Sequence, residues 1–297
     1  MDQLKNCTLC PRNCGVDRTK TVGFCGATDN IKVARAALHF WEEPCISGTR
    51  GSGTVFFSGC NLACRYCQNY DISIGGFGKE VSSERLGEIF LKLQEQGAHN
   101  INLVTPTPYL PQIISAIHRV RSNMHIPFVA NLGGYEKPET IKALQGYINI
   151  FLTDVKYKSS ELSKKYSLAP DYFEFAMAAL REMVTLCGTP KTDAEGIMQS
   201  GVIVRHLVLP GCRKDSIEIL KSLKEQFGTE SFILSLMSQY TPNGHLGDYP
   251  EINRRITTFE YHSVVDAALE LGFDNAYMQE KSSAKSEYTP SFDLTGV

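Results

Sequence analysis

The sequence lacks any run approaching the roughly 18 uninterrupted apolar residues of a membrane-spanning helix. Its opening, Met-Asp-Gln-Leu-Lys, has none of the apolar character of a secretory signal. A cytosolic setting without a membrane partner is expected. There is no basic surplus either: 30 Lys and Arg face 32 Asp and Glu, for a net charge of −2, and no Lys/Arg block forms a stripe that would follow a phosphate backbone. Nucleic acid is not an expected partner. Gly and Pro are not enriched, and 42% hydrophobic with 21% charged residues describes a chain that folds around a core.

What the chain does have is ten cysteines, eight of them before residue 68. Without a secretory signal, CxxC and CxxxCxxC spacings favour metal ligation over disulfides. Residues 1–52 read as a loop-rich, Cys-rich N-terminal cap. From residue 53 onward strand-like runs at 54–58, 100–105, 127–132, 148–155, 202–209 and 232–237 alternate with helix-like runs at 83–96, 110–123, 138–144, 172–187, 215–227 and 250–271. Ser83 is the expected cap of the first of these helices, and Pro250-Glu251 the expected start of the last. Six βα units are too few for a closed eight-stranded barrel, so an α/β fold with a partial (β/α)6 TIM-like barrel over 53–280 is expected, followed by an extended or frayed tail at 281–297.

In such barrels chemistry gathers at the C-terminal ends of strands. Cys60, Cys64 and Cys67 follow the first strand at that mouth. Three thiolates on one short loop suit a cubane iron–sulfur cluster with one iron left open, whereas a structural zinc takes four closed ligands and would have to borrow Cys45. Thr105 and Thr107 follow the second strand, Asn131 ends the third, and Asp154 and Lys156 share one side of the fourth. In the fifth, Arg205 and His206 interrupt an apolar run; only one of them can face the barrel interior, where Arg205 would need a carboxylate. His206 reads as a satisfied core histidine. Cys7, Cys10, Cys14 and Cys25 form a separate four-thiol set for which zinc and a second iron–sulfur cluster both remain open. Cys45 is either near the active cluster or inert; Cys187 and Cys212 read as a core thiol and a loop thiol.

The stretch from Cys60 to Cys67, with Tyr66 before the last cysteine, resembles the signature of the radical S-adenosylmethionine (SAM) superfamily. The flanks Gly53–Gly59, Cys7-Thr8-Leu9-Cys10-Pro11-Arg12, Glu43-Pro44-Cys45, Arg205–Gly211 and Met237-Ser238-Gln239-Tyr240 resemble its PflX-type branch, relatives of the pyruvate formate-lyase activating enzymes. That resemblance implies a 4Fe-4S cluster whose open iron binds SAM, and reductive cleavage of SAM to methionine and a 5′-deoxyadenosyl radical. It further implies a glycyl radical enzyme as partner and a flavodoxin or ferredoxin as reductant; radical chemistry on a small molecule or peptide, and a zinc-stapled binding protein without redox chemistry, are the alternatives. Cofactor contacts then fall to Thr105, Thr107, Asn131, Asp154, Lys156, Arg205 and Gln239. The sequence departs from the superfamily twice: Thr105-Pro106-Thr107-Pro108 replaces a glycine-rich turn, and Gln239-Tyr240 replaces a histidine on the sixth strand.

Overall fold

The computed structural model describes residues 2–279 and 289–297. All six expected strands are present: β2 (Ser52–Phe57), β4 (Ile101–Val104), β5 (Phe128–Leu132), β6 (Ile150–Asp154), β8 (Met198–Leu207) and β9 (Ile233–Met237). They pair in parallel in the order β2-β4-β5-β6-β8-β9, as successive βα units require. Every residue of β2 is buried, the condition that makes parallel strands read as continuous apolar runs. Four further strands complete the set: β1 (Ile31–His39), β3 (Lys79–Val81), β7 (Lys191–Thr192) and β10 (Ala276–Met278). Of these, β10 extends the parallel series beyond β9, β1 runs antiparallel beside β2, and β3 antiparallel beside β1. The sheet runs from β10 to β3 without closing, so the fold is the expected α/β partial barrel.

Two helix starts differ from expectation. Ser82, not Ser83, caps the helix Ser83–Glu95 by accepting from the Arg85 amide. The last helix is Thr258–Glu270, not 250–271, because Thr257 and Glu260 supply both halves of a capping box. Pro250-Glu251 instead lie in a turn whose Ile252 carbonyl accepts the buried Tyr240 hydroxyl at 2.7 Å. A short helix, Ser160–Ser167, had no apolar periodicity to announce it.

The first 30 residues are mostly loop, so their carbonyls lack ladder partners. Arginines supply them. Arg18, 1% exposed, donates to the carbonyls of Ala27, Thr28 and Pro108, and Arg12 to those of Asn61, Ser167 and Leu168. Both tie the loops to the barrel. Residues 42–48 turn inward from β1 and close the barrel interior: Cys45 and Ile46 pack on Val129, Ile150, Leu152 and Ile203. Asn100 holds this plug through the Ile46 carbonyl at 2.7 Å, and Asn102 through Glu42 at 2.8 Å.

The expected frayed tail is docked where it is described. Leu294 donates to the Ala34 carbonyl, Ala36 to that of Thr295, and Phe292 meets Phe56 edge-on at 5.5 Å. Residues 281–288 of that expectation lie outside the described residues.

Candidate functional site

The loop after β2 begins at Gly59, whose φ of +88° lies in the left-handed region, and a side chain there would come within 2.6 Å of the Cys25 carbonyl. This glycine lets the loop turn directly under the cap. Cys60, Cys64 and Cys67 then line one cavity of about 230 Å3 at the C-terminal ends of the strands. Each sulfur accepts one hydrogen bond: Cys60 from the Leu62 amide (3.4 Å), Cys64 from the Ser167 hydroxyl (3.0 Å) and Cys67 from the Ser73 hydroxyl (3.3 Å). Donors of this kind orient thiolate ligands and tune the metal they hold. Ser167 is hydrogen-bonded to Tyr157, and Tyr157 donates to Tyr66, so the loop rests on a buried hydroxyl chain.

Burial is the main reason all three thiols are raised above their ordinary range, Cys67 to about 11 and Cys60 well above it; for Cys60 and Cys67 the neighbouring Cys64 adds to it, while Lys156 opposes it at all three. Neutral thiols are therefore the resting state of the bare loop. A cationic metal centre would stabilise the thiolates and displace their protons.

Around the thiols the cavity wall includes Thr105, Asn131, Asp154, Lys156, Arg205 and Gln239. Asp154 and Lys156 form an ion pair, and the Lys156 amide donates to Tyr172 at 3.1 Å. Carboxylate and thiols together hold the Lys156 ammonium charged despite its burial. Thr105 adopts φ +58°, a left-handed conformation unfavourable for a β-branched residue, at the place where the superfamily resemblance implies a glycine-rich turn. Its amide donates to the Asn131 carbonyl at 2.9 Å.

Thr107 does not belong with them. It does not line the cavity, and its buried hydroxyl donates to Glu136 at 3.0 Å. Thr107 begins the 3-10 turn Thr107–Tyr109, with Pro106 and Pro108 on either side of it. Glu136 itself went unnoticed in the sequence: it is fully buried, one of its oxygens has no protein partner, and burial raises its carboxyl to about 7.

Arg205 faces the interior and finds its carboxylates in Glu43, at 2.7 and 2.6 Å through two guanidinium nitrogens, and in Glu42. His206 points outward and is satisfied by the Val155 carbonyl and the Ser216 hydroxyl. The Glu42 and Glu43 partners were legible only as two acids before Pro44; pairing them with Arg205, 162 residues away for Glu43, needs the topology. Cys45 packs in the plug below, hydrogen-bonded to Tyr277, and does not line the cavity. Thr289 and Pro290 also reach the cavity wall. A larger cleft of about 660 Å3 between the cap and outer helices, lined by Leu9, Leu110, Lys137 and Phe175, contains no cysteine.

Cys7, Cys10, Cys14 and Cys25 lie within one another's electrostatic reach, and burial with these neighbours pushes Cys10 up to about 12. Among the described residues, no three Cys, His, Asp or Glu side chains converge on a point that one metal ion could occupy. That holds for the loop thiols and the cap thiols alike. Cys187, half-buried at a helix end, donates to the Asn149 carbonyl, and Cys212 precedes the helix Arg213–Phe227.

Residues 54–189 match the model of the Radical SAM superfamily. Over 286 residues, covering 92% of this chain and 77% of the other, it is 29% identical to an uncharacterized protein of Methanocaldococcus jannaschii. It is similar in fold to the FeFe-hydrogenase maturase HydG of Carboxydothermus hydrogenoformans, with 14% identity, a TM-score of 0.51 and coverage of 80% of this chain and 56% of that one. A second HydG structure gives 15%, 0.50, 73% and 48%; the chain thus spans about half the length of these structures. Among the described residues, no helix is long and apolar enough to cross a membrane.

The superfamily implies a 4Fe-4S cluster and SAM, and the residues present fit them. Three thiols on one loop, all lining the same cavity, fit a cubane that takes three protein ligands and leaves one iron open. The polar wall leaves room beside them for a ligand with charged ends.

Proposed function

We propose that this protein cleaves SAM reductively and uses the resulting radical to abstract hydrogen from a glycine of a partner protein. The observation that carries the first half is the single cavity shared by Cys60, Cys64, Cys67, Asp154, Lys156 and Asn131. When bound, cluster and SAM supply one-electron cleavage of the sulfonium C–S bond, giving methionine and a 5′-deoxyadenosyl radical. The chain's own part is to hold and shield. The three loop cysteines ligate, leaving the fourth iron to SAM. Lys156, kept charged by Asp154, offsets the negative charge of the thiolates and of a carboxylate ligand. Asn131 and Gln239 offer amides to the polar ends of SAM, and the Arg205–Glu43–Glu42 network fixes the floor that keeps water out.

Support for a protein acceptor comes from the open side. Trp41, Glu42, Arg205, Met237 and Gln239 also line a second groove that leads past Phe40 to Tyr277 along the β9–β10 edge, and Phe40 and Trp41 are about half exposed there. A polypeptide loop fits such a route. The flanking motifs resembling the activating enzymes point to a glycyl radical enzyme as that partner, with a flavodoxin or ferredoxin as electron donor. Incubating the reconstituted protein with SAM, reductant and a glycyl radical enzyme labelled with deuterated glycine tests this. Deuterium in the 5′-deoxyadenosine supports a glycine donor; product without deuterium assigns the hydrogen to a small molecule or another peptide site and overturns this half.

A further inference from the structure

We infer that Asn243 is the positioning residue for the third loop cysteine: it clamps the backbone across Tyr66 and Cys67 and so keeps the Cys67 sulfur in place beside those of Cys60 and Cys64. This rests on the radical SAM reading of the loop and adds to it a residue from the segment after β9. The loop is held from outside at three places. At its start the Cys60 amide donates to the Cys25 carbonyl at 3.2 Å, and Arg12 donates to the Asn61 carbonyl at 2.9 Å. In its middle the Arg65 amide donates to the Tyr166 carbonyl at 2.9 Å, and the Ser167 hydroxyl reaches the Cys64 sulfur. At its end the Asn243 side chain donates to two carbonyls at once, that of Arg65 at 3.1 Å and that of Cys67 at 3.2 Å.

Asn243 is itself fixed. Its side-chain oxygen accepts from the His245 amide at 3.1 Å, which turns the nitrogen and its two protons toward the loop. One amide group can therefore serve both carbonyls. Residues 238–249 form no helix or strand, so side chains rather than a ladder keep this segment against the loop. The Tyr240 ring lies 5.8 Å from that of Tyr66, His245 stacks on Tyr70 with centroids 3.7 Å apart, and the Arg65 guanidinium lies 5.9 Å from the Tyr249 ring. The Cys67 sulfur also accepts from Ser73, but Ser73 ends the short helix Tyr70–Ser73 that follows the same loop and moves with it. Asn243 lies 176 residues from Cys67 and ties it to another part of the barrel mouth. Outer partners that orient a ligand in this way are worth roughly 10- to 100-fold in metal retention.

The test compares the parent with Asn243→Asp, which keeps the oxygen that holds the His245 amide and removes the donor, and with Asn243→Ala. After anaerobic reconstitution of the full chains with iron and sulfide, iron should pass to the chelator ferrozine roughly 10-fold faster or more from either variant. In the same chains before reconstitution, iodoacetamide labelling read by mass spectrometry should modify Cys67 several-fold faster than in the parent, with Cys60 and Cys64 at their parent rates. His245→Ala, which removes the ring stack and leaves the backbone amide that fixes Asn243, should stay near the parent in both measurements. Parent-like release and labelling in the Asn243 variants, or equal acceleration at all three cysteines, overturns the inference. A parent that assembles no 4Fe-4S cluster overturns the radical SAM reading instead, and the labelling pattern still decides the clamp. If Asn243→Asp fails to fold, Asn243→Ala carries the same comparison.

Discussion

The loop at 60–67 and the cap at 7–25 are both built from cysteines, half-buried except for the buried Cys7, yet they are finished differently. The loop thiols open onto a cavity whose wall carries an ion pair, two amides and a buried arginine network. None of the cap thiols lines that cavity; their neighbours are turns, carbonyls and one another. Three candidate ligands beside a polar void leave a coordination position for something that is not protein, whereas the four cap thiols sit among turns with no such void beside them.

The largest effect that would break this contrast is at the loop. Cys64→Ala should abolish 5′-deoxyadenosine formation, while Cys10→Ser should leave the loop cluster assembled; equal loss of loop iron in both would erase the distinction. Next comes the floor. Arg205→Met strands Glu42 and Glu43 without their cation, and should cost about 3–5 kcal/mol of stability by denaturant titration. Arg205→Lys should recover part of that, since it restores the charge without the two-pronged geometry.

Glu136 gives a pH signature. Its carboxyl titrates at about 7 in the fold against 4.5 normally, so between those values the folded chain keeps a proton that the unfolded chain has lost. Stability from this group is complete below about 4.5 and declines as pH rises through about 7. Glu136→Gln cannot ionise, and should gain about 3 kcal/mol on the parent between pH 4.5 and pH 8; parallel pH–stability curves would show that the carboxyl is not so buried. Smallest is Thr105→Gly, which relieves a left-handed β-branched residue and should stabilise by about 1 kcal/mol or less.

Much of this was legible in the chain. The six barrel strands announced themselves because parallel strands buried on both faces are continuous apolar runs. The loop cysteines stood out by spacing, and Asp154, Lys156, Asn131 and Gln239 by lying at strand ends. Other features depend on contacts distant in sequence. Glu43 became a site residue only through Arg205, and Glu136 only through its burial against Thr107. Thr107 is not among the residues lining the cavity and sits on a local turn between two prolines that strand alternation does not foresee. The return of residues 289–297 to β1 has no local signal, since it rests on backbone bonds with Ala34 and Ala36 and on an Arg35–Asp293 ion pair far apart in sequence.

The most direct test of the central claim is to reconstitute the protein anaerobically with iron and sulfide, add SAM and dithionite, and measure 5′-deoxyadenosine and methionine beside a Cys60→Ala control. Equal amounts of the two products from the parent and none from the control are predicted. A parent with a verified 4Fe-4S cluster that neither binds SAM nor cleaves it, with or without an acceptor protein, would contradict the account.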